Sequence, residues 1–248
     1  MASHTLTHTR QGREKEIRRA MCALLSIARS LVLLPPPCLR RAGLATMSWA
    51  KEVDRSGVTF VNSFADPRGM PFSPLPEVTL VGRSNVGKSS ALNALSGRRK
   101  RVAQVSKTPG RTRLINLFSV GSALTVTDLP GYGFAKVSAE LQEEWRRNVE
   151  AYLRQRENLR AAVVFIDSQR EPQAVDAQIL DFLAFHEIPS VVVATKVDKV
   201  RPSQLDNCMA ALRRGLALPP DQPIPFSSTT GVGRKELWQY LQEICLAE

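Results

Sequence analysis

The chain has 248 residues, 43% of them apolar and 23% charged, enough to bury the core of one sizeable domain. Its formal charge of +11 is uneven: residues 1–46 hold eight Lys or Arg against two acids, which leaves the body only mildly basic. The scattered Cys22, Cys38, Cys208 and Cys245, with only His4, His8 and His186, exclude a disulfide framework, a zinc site and a histidine triad, and point to a reducing compartment.

Residues 1–46 are rich in Arg, Ser, Thr, Ala and Leu. The apolar run Met21–Leu34, "MCALLSIARSLVLL", is broken by Arg29 and stopped by Pro35, Pro36 and Pro37. It falls short of the ~20 apolar residues of a membrane helix, so no span is expected. The Arg-rich, acid-poor composition reads as a transit peptide for an organelle, mitochondrion or plastid. Two alternatives stay open: an extension without function in a cytoplasmic protein that starts at Met21 or Met47, and a secretory signal, which the motifs downstream disfavour. Residues 47–76 read as a lead-in. Pro67, Pro71, Pro74, Pro76 and Gly69 predict an irregular entry to a domain spanning 77–248.

From Pro76 strands and helices alternate. The strands expected are Val78–Val81, Leu114–Val120, Leu124–Asp128, Ala162–Asp167, Ser190–Thr195 and Ile224–Ser227. The helices are Lys88–Ser96, Ser138–Glu157, Gln173–Phe185, Pro202–Leu216 and Arg234–Leu246. "EVTLV", "VVF" and "VVVA" are continuous apolar runs, as in strands buried on both faces. The pattern predicts an α/β, doubly wound, mostly parallel six-stranded sheet. Ligands then bind at the carboxyl ends of the strands.

The first such end carries "GRSNVGKS": Gly82, Arg83, Ser84, Asn85, Val86, Gly87, Lys88 and Ser89. It matches the phosphate-binding P-loop. Glycines let the backbone approach phosphate, and loop amides and the helix N-terminus point at the anion. Lys88 brings charge to the β- and γ-phosphates, and Ser89 offers a hydroxyl to Mg²⁺. The second, "TDLPGYGF", ends a strand at Asp128 and continues through Leu129 and Pro130 to Gly131. In this D-x-x-G arrangement the carboxylate reaches Mg²⁺ through water and the glycine amide senses a γ-phosphate. The third, Thr195-Lys196-Val197-Asp198, selects the base. The Asp198 carboxylate accepts from guanine N1–H and the exocyclic amine, and adenine has neither donor on that edge. The Lys196 stem packs on the base face. A fourth loop, Phe226-Ser227-Ser228, carries a weaker signal for the base oxygen. Together these predict a GTPase domain using GTP and Mg²⁺.

"GRSNVGKSSALNAL", "SKTPGRTRLINLF", "DLPGYGFAK", "TKVDK" and "FSS" at this spacing resemble the EngB (YihA/YsxC) family, within the TrmE-Era-EngA-EngB-septin-like GTPase superfamily. The likeness covers about residues 58–248. It implies a Ras-like fold and work on the large ribosomal subunit. It also implies that Thr112 binds Mg²⁺ as the switch threonine, with Gly110, Arg111, Arg113 and Leu114 lining the nucleotide. The sequence departs from the family in its basic front and in Thr195, where many GTPases carry Asn.

Gly97–Arg113 is a long polar connection, as expected of a switch loop. Tyr132 stands where Ras-type enzymes carry the water-orienting glutamine, so intrinsic hydrolysis is expected to be slow and completed by a partner or by K⁺. Asn85 is a candidate ligand for that K⁺, and the alternative is that it only shapes the loop. Arg98–Arg101, uncompensated by acids, suits rRNA, whereas the arginines of the 138–157 helix are expected to pair with its glutamates. A monomer is expected. The competing function is a regulatory GTP-binding module that recruits a protein and hardly hydrolyses.

Overall fold

The computed structural model describes residues 49–97, 102–103, 114–132 and 139–246. Six α-helices and seven strands lie among them: α1 (Trp49–Ser56), β1 (Val58–Phe64), β2 (Glu77–Gly82), α2 (Lys88–Leu95), β3 (Ile115–Val120), β4 (Leu124–Asp128), α3 (Ala139–Gln155), β5 (Leu159–Asp167), α4 (Ala174–Phe185), β6 (Ser190–Thr195), α5 (Pro202–Gly215), β7 (Ile224–Pro225) and α6 (Arg234–Leu246). The strands form one sheet in the order β1-β3-β4-β2-β5-β6-β7. β3 pairs antiparallel with β1 and β4, and the remaining ladders are parallel.

β5 shows how the sheet divides the core. Ala161, Val163 and Phe165 face one layer, with Trp49 and Val53 of α1, Leu92 and Leu95 of α2, and Trp238 and Leu241 of α6. Ala162, Val164 and Ile166 face the other, with Tyr152 of α3, Leu180 and Leu183 of α4, and Leu212 of α5. The period of two in side-chain direction thus gives a strand buried on both faces, which is why its sequence is continuously apolar. β2 and β6 are buried along their whole length.

The doubly wound α/β architecture is as expected, but the sheet has seven strands rather than six. The extra strand, β1, and α1 before it lie in the stretch read as an irregular lead-in. Only Val58 of β1 is fully buried, and the ladder to β3 carries an irregularity between Phe60 and Asn62. An edge strand of that kind shows no alternation of apolar and polar residues. The irregular part is narrower, beginning near the 3₁₀ turn Pro67–Gly69. The last predicted strand is shorter than expected, Ile224–Pro225.

At the amino ends of the strands Glu77 is fully buried. Its carboxylate accepts from Tyr152 Oη at 2.6 Å and Arg156 Nη2 at 2.5 Å, pinning the C-terminal end of α3 to the start of β2. Arg156 is therefore turned inward and is not part of a phosphate-facing surface.

Candidate functional site

The carboxyl ends of β2, β4, β5 and β6 bring Gly82, Asp128, Asp167 and Thr195 to one edge of the sheet. The register of β3 on β4 pairs Asn116 with Asp128, so Leu114, exposed just before β3, comes to the same edge.

The loop after β2 is held by glycine in two different ways. A Cβ on Gly82 would lie 2.9 Å from the Phe165 carbonyl oxygen and 3.0 Å from Val86, so the space is closed. Gly87 caps α2 at φ 115°, a conformation costly for any L side chain. Asn85 also has positive φ, 61°, which asparagine tolerates better than most residues. Val86 is buried beneath the loop. Lys88 and Ser89 open α2, where backbone N–H groups lack helical partners. Lys88 Nζ stands 3.2 Å from Asp128 Oδ1, an ion pair whose alignment falls short of a hydrogen bond.

The D-x-x-G loop is stitched to the P-loop. Leu129 N–H donates to Leu80 O at 3.1 Å, Tyr132 N–H to Gly82 O at 3.3 Å, and Ser84 N–H to Tyr132 O at 3.2 Å. A Cβ on Gly131 would meet Ser84 N at 3.0 Å and Ser84 Cα at 3.2 Å, backbone atoms with little room to yield. Leu129 and Pro130 are buried, so their side chains face the core. The Tyr132 ring also turns into the core, its hydroxyl donating to Asp176 Oδ1 at 3.0 Å. Burial first, and then the Asp176 carboxylate, push that phenol well above its ordinary pKa, so it stays a donor.

In the third loop Thr195 is a support. It is buried, with its hydroxyl 2.7 Å from Val86 O and 3.1 Å from Ile166 O, beneath the P-loop. Lys196 is left-handed at φ 61°, and its Nζ donates to Asn85 O at 3.0 Å and Asp167 Oδ2 at 2.7 Å. Val197 is buried, whereas Asp198 is exposed. Ser227 Oγ, itself fully buried, donates to Asp198 Oδ1 at 2.7 Å and accepts from Thr229 N and Thr230 N. Phe226 is buried and Ser228 exposed.

Gly110, Arg111, Thr112 and Arg113 lie outside the described residues, as do Arg98–Arg101. Two arginines of α3 pair with its glutamates as expected, Arg146 with Glu143 and Glu150 and Arg154 with Glu150, whereas Arg156, just past the helix, pairs with Glu77 of β2 instead. Sequence reasoning missed Asp167 and Asp176. Asp167 had one signal, a carboxylate at the end of an apolar strand on the ligand edge. Asp176 had none, because it reaches Tyr132 from 44 residues away.

Ser89 and Asp128 offer a hydroxyl and a carboxylate, the hard oxygen donors that suit Mg²⁺. Asp128 Oδ1 is buried and makes no hydrogen bond, and it faces the Lys88 ammonium at 3.2 Å, so the carboxylate is already set against positive charge. Among the described residues no cluster of three His, Cys, Asp or Glu forms a separate metal site, and no helix is long and apolar enough to cross a membrane.

A family profile described as 50S ribosome-binding GTPase matches residues 77–196. The probable GTP-binding protein EngB of Pelotomaculum thermopropionicum is 45% identical over 183 residues, 73% of this chain and 92% of that protein. That of Listeria welshimeri is 40% identical over 192 residues, 77% of this chain and 98% of its own. Among solved structures, a probable GTP-binding protein engB superposes with a TM-score of 0.57 at 25% identity, covering 68% of this chain and 98% of that one. Era, in complex with MgGDPNP and a stretch of 16S ribosomal RNA, gives 0.54 at 23% identity over 68% of this chain and 56% of its own, a likeness of fold.

Proposed function

The chain belongs to the EngB family of GTP-binding proteins, and from that premise we propose that it is a GTP-driven switch in assembly of the large ribosomal subunit, acting in an organelle. As a GTPase it converts GTP and water to GDP and phosphate. Water attacks the γ-phosphorus while the bond from that phosphorus to the β–γ bridging oxygen breaks.

Each residue has a role in this reading. The amides of Gly82–Ser89 cradle the phosphates. Lys88 leaves Asp128 and turns to the β- and γ-phosphates. Gly131 N–H meets the γ-phosphate, and Asp198, steadied by Ser227, accepts from guanine. Ser89, Thr112 and, through water, Asp128 would hold Mg²⁺, which supplies charge neutralisation on the phosphate oxygens when bound.

The observation that carries the switch reading is the direction of Tyr132. Its hydroxyl is committed to Asp176 in the core, so it orients no water at the γ-phosphate. Intrinsic hydrolysis is then slow, and a partner or a K⁺ held by Asn85 completes the site. The basic residues 98–101 support rRNA as the surface read, and the composition of residues 1–46 supports an organellar address.

The same direction of Tyr132 also fits a second reading, a GTP-binding module that recruits a protein and hardly hydrolyses. Sedimentation with large ribosomal subunits separates the two. The switch reading predicts co-sedimentation with a non-hydrolysable GTP analogue, release with GDP, and GTP turnover stimulated by subunits. Equal sedimentation in both nucleotides, or none, overturns it.

A further inference from the structure

We infer that Tyr132 is a positioning residue for nucleotide discrimination: by anchoring its hydroxyl on Asp176 it holds Gly131 N–H against the P-loop and ties the reading of the γ-phosphate to the first turn of α4. The inference rests on the reading that Gly131 N–H meets the γ-phosphate.

The geometry has two ends and a joint. At one end Tyr132 exchanges backbone hydrogen bonds with the P-loop, its N–H to Gly82 O and its carbonyl from Ser84 N–H. Gly131, directly before it, is confined against Ser84. Glycine carries no side chain of its own to fix its amide, so the residues flanking it set its place: Pro130, buried on one side, and Tyr132, anchored on the other. At the other end Asp176 is buried and uses both oxygens. Oδ1 accepts from Tyr132 Oη at 3.0 Å, and Oδ2 accepts from Gln173 N–H at 2.9 Å within the capping box of α4. The Tyr132 hydroxyl is the joint between them.

A purely core-filling role accounts for the ring but not for the hydroxyl. The ring lies beside Val149, Ile179 and Phe182 in the apolar groove between α3 and α4, where phenylalanine would pack as well. A hydroxyl there has to find an acceptor, and the one it finds also caps a helix. Moving Tyr132 would leave a buried carboxylate short of a donor, which is costly. A shift of Gly131 between GTP and GDP is therefore opposed by, and transmitted to, the N-terminal turn of α4. Such transmission requires contacts that differ between the two nucleotide states, and the γ-phosphate is the group that differs.

The test uses the full chain as wild type, Tyr132→Phe, Asp176→Asn and the double variant. Affinities for GDP and for a non-hydrolysable GTP analogue are measured by titration with fluorescent nucleotides. Hydrogen exchange is followed at residues 174–177 in both complexes. Tyr132→Phe keeps the ring and should lower the ratio of GTP-analogue to GDP affinity about tenfold, the lower end of what one hydrogen bond to a charged group contributes. Affinity for GDP should change less than about twofold, the γ-phosphate being absent there. The double variant should add little to either single one, because both break the same joint. In the wild type, exchange at the first turn of α4 differs between the two complexes, and in the variants the difference disappears. If Tyr132→Phe does not fold, Asp176→Asn, which keeps the tyrosine and disturbs the cap, carries the same expectation with GDP binding as the control for folding. Folded variants with the wild-type ratio and a wild-type exchange difference overturn the inference and leave Gly131 as the γ-phosphate sensor. A wild type that binds both nucleotides without distinguishing them in exchange or affinity overturns that sensor and the inference together.

Discussion

Ser227 Oγ donates to Asp198 Oδ1 at 2.7 Å, which ties the segment after β7 to the loop after β6. One oxygen of the exposed carboxylate is thereby held from the protein side, which on the proposed reading orients it toward the guanine base. Preorganisation of this kind lowers the ordering that binding would otherwise require. Replacing Ser227 with Ala should weaken GTP and GDP alike by about tenfold, the scale of a hydrogen bond to a charged group. Equilibrium titration of both nucleotides checks this, and single-turnover hydrolysis at saturation should stay close to wild type, because the γ-phosphate lies at the other end of the site.

Thr195 illustrates a residue that acts from beneath. Its hydroxyl sits between the carbonyls of Val86 and Ile166. Thr195→Val keeps the shape and leaves a buried carbonyl under the P-loop without its donor. The expected cost is about 1–2 kcal/mol in stability, with a parallel loss of nucleotide affinity. Urea denaturation with and without GDP measures both. Thr195→Asn restores an amide donor and should recover part of the affinity.

Trp49 and Val53 of α1 are buried against Leu95 and Trp238, so α1 is part of the core. A protein starting at Met47 should bind GTP as the full chain does. One starting at Gly57 should lose roughly 3–5 kcal/mol, the burial of two large apolar side chains. Thermal melts of the three forms give the comparison.

Asn85 is exposed in left-handed backbone, with its carbonyl accepting from Lys196. If its side chain holds K⁺ beside the phosphates, GTP hydrolysis is faster in KCl than in NaCl at matched ionic strength, by ~10-fold or more. Asn85→Gly, which suits φ 61°, should abolish the difference and keep most nucleotide affinity. Equal rates in the two salts, with and without ribosomal subunits, reduce Asn85 to a loop-shaping residue.

The elements with continuous apolar runs were legible because burial on both faces leaves no other pattern. β2, β5 and β6 emerge within a few residues of where "EVTLV", "VVF" and "VVVA" put them. β1 was not legible, since an edge strand with one buried residue is recognised only by its partner β3. The same division runs through the site. Glycines and charges at strand ends follow from spacing along the chain. The partnerships of Lys196 with Asp167 and of Tyr132 with Asp176 join residues 29 and 44 positions apart, and only the fold brings them together.

The central claim is that these strand ends form a site selective for guanine, and Asp198→Asn tests it most directly. The substitution removes a carboxylate acceptor and presents an amide donor to guanine N1–H. Titration of wild type and variant with GTP and with XTP, whose base carries a carbonyl in place of the exocyclic amine, reads the outcome. The account predicts that the variant loses GTP affinity by on the order of 10³-fold or more and gains affinity for XTP, reversing the preference. A variant that binds GTP as tightly as wild type would contradict it.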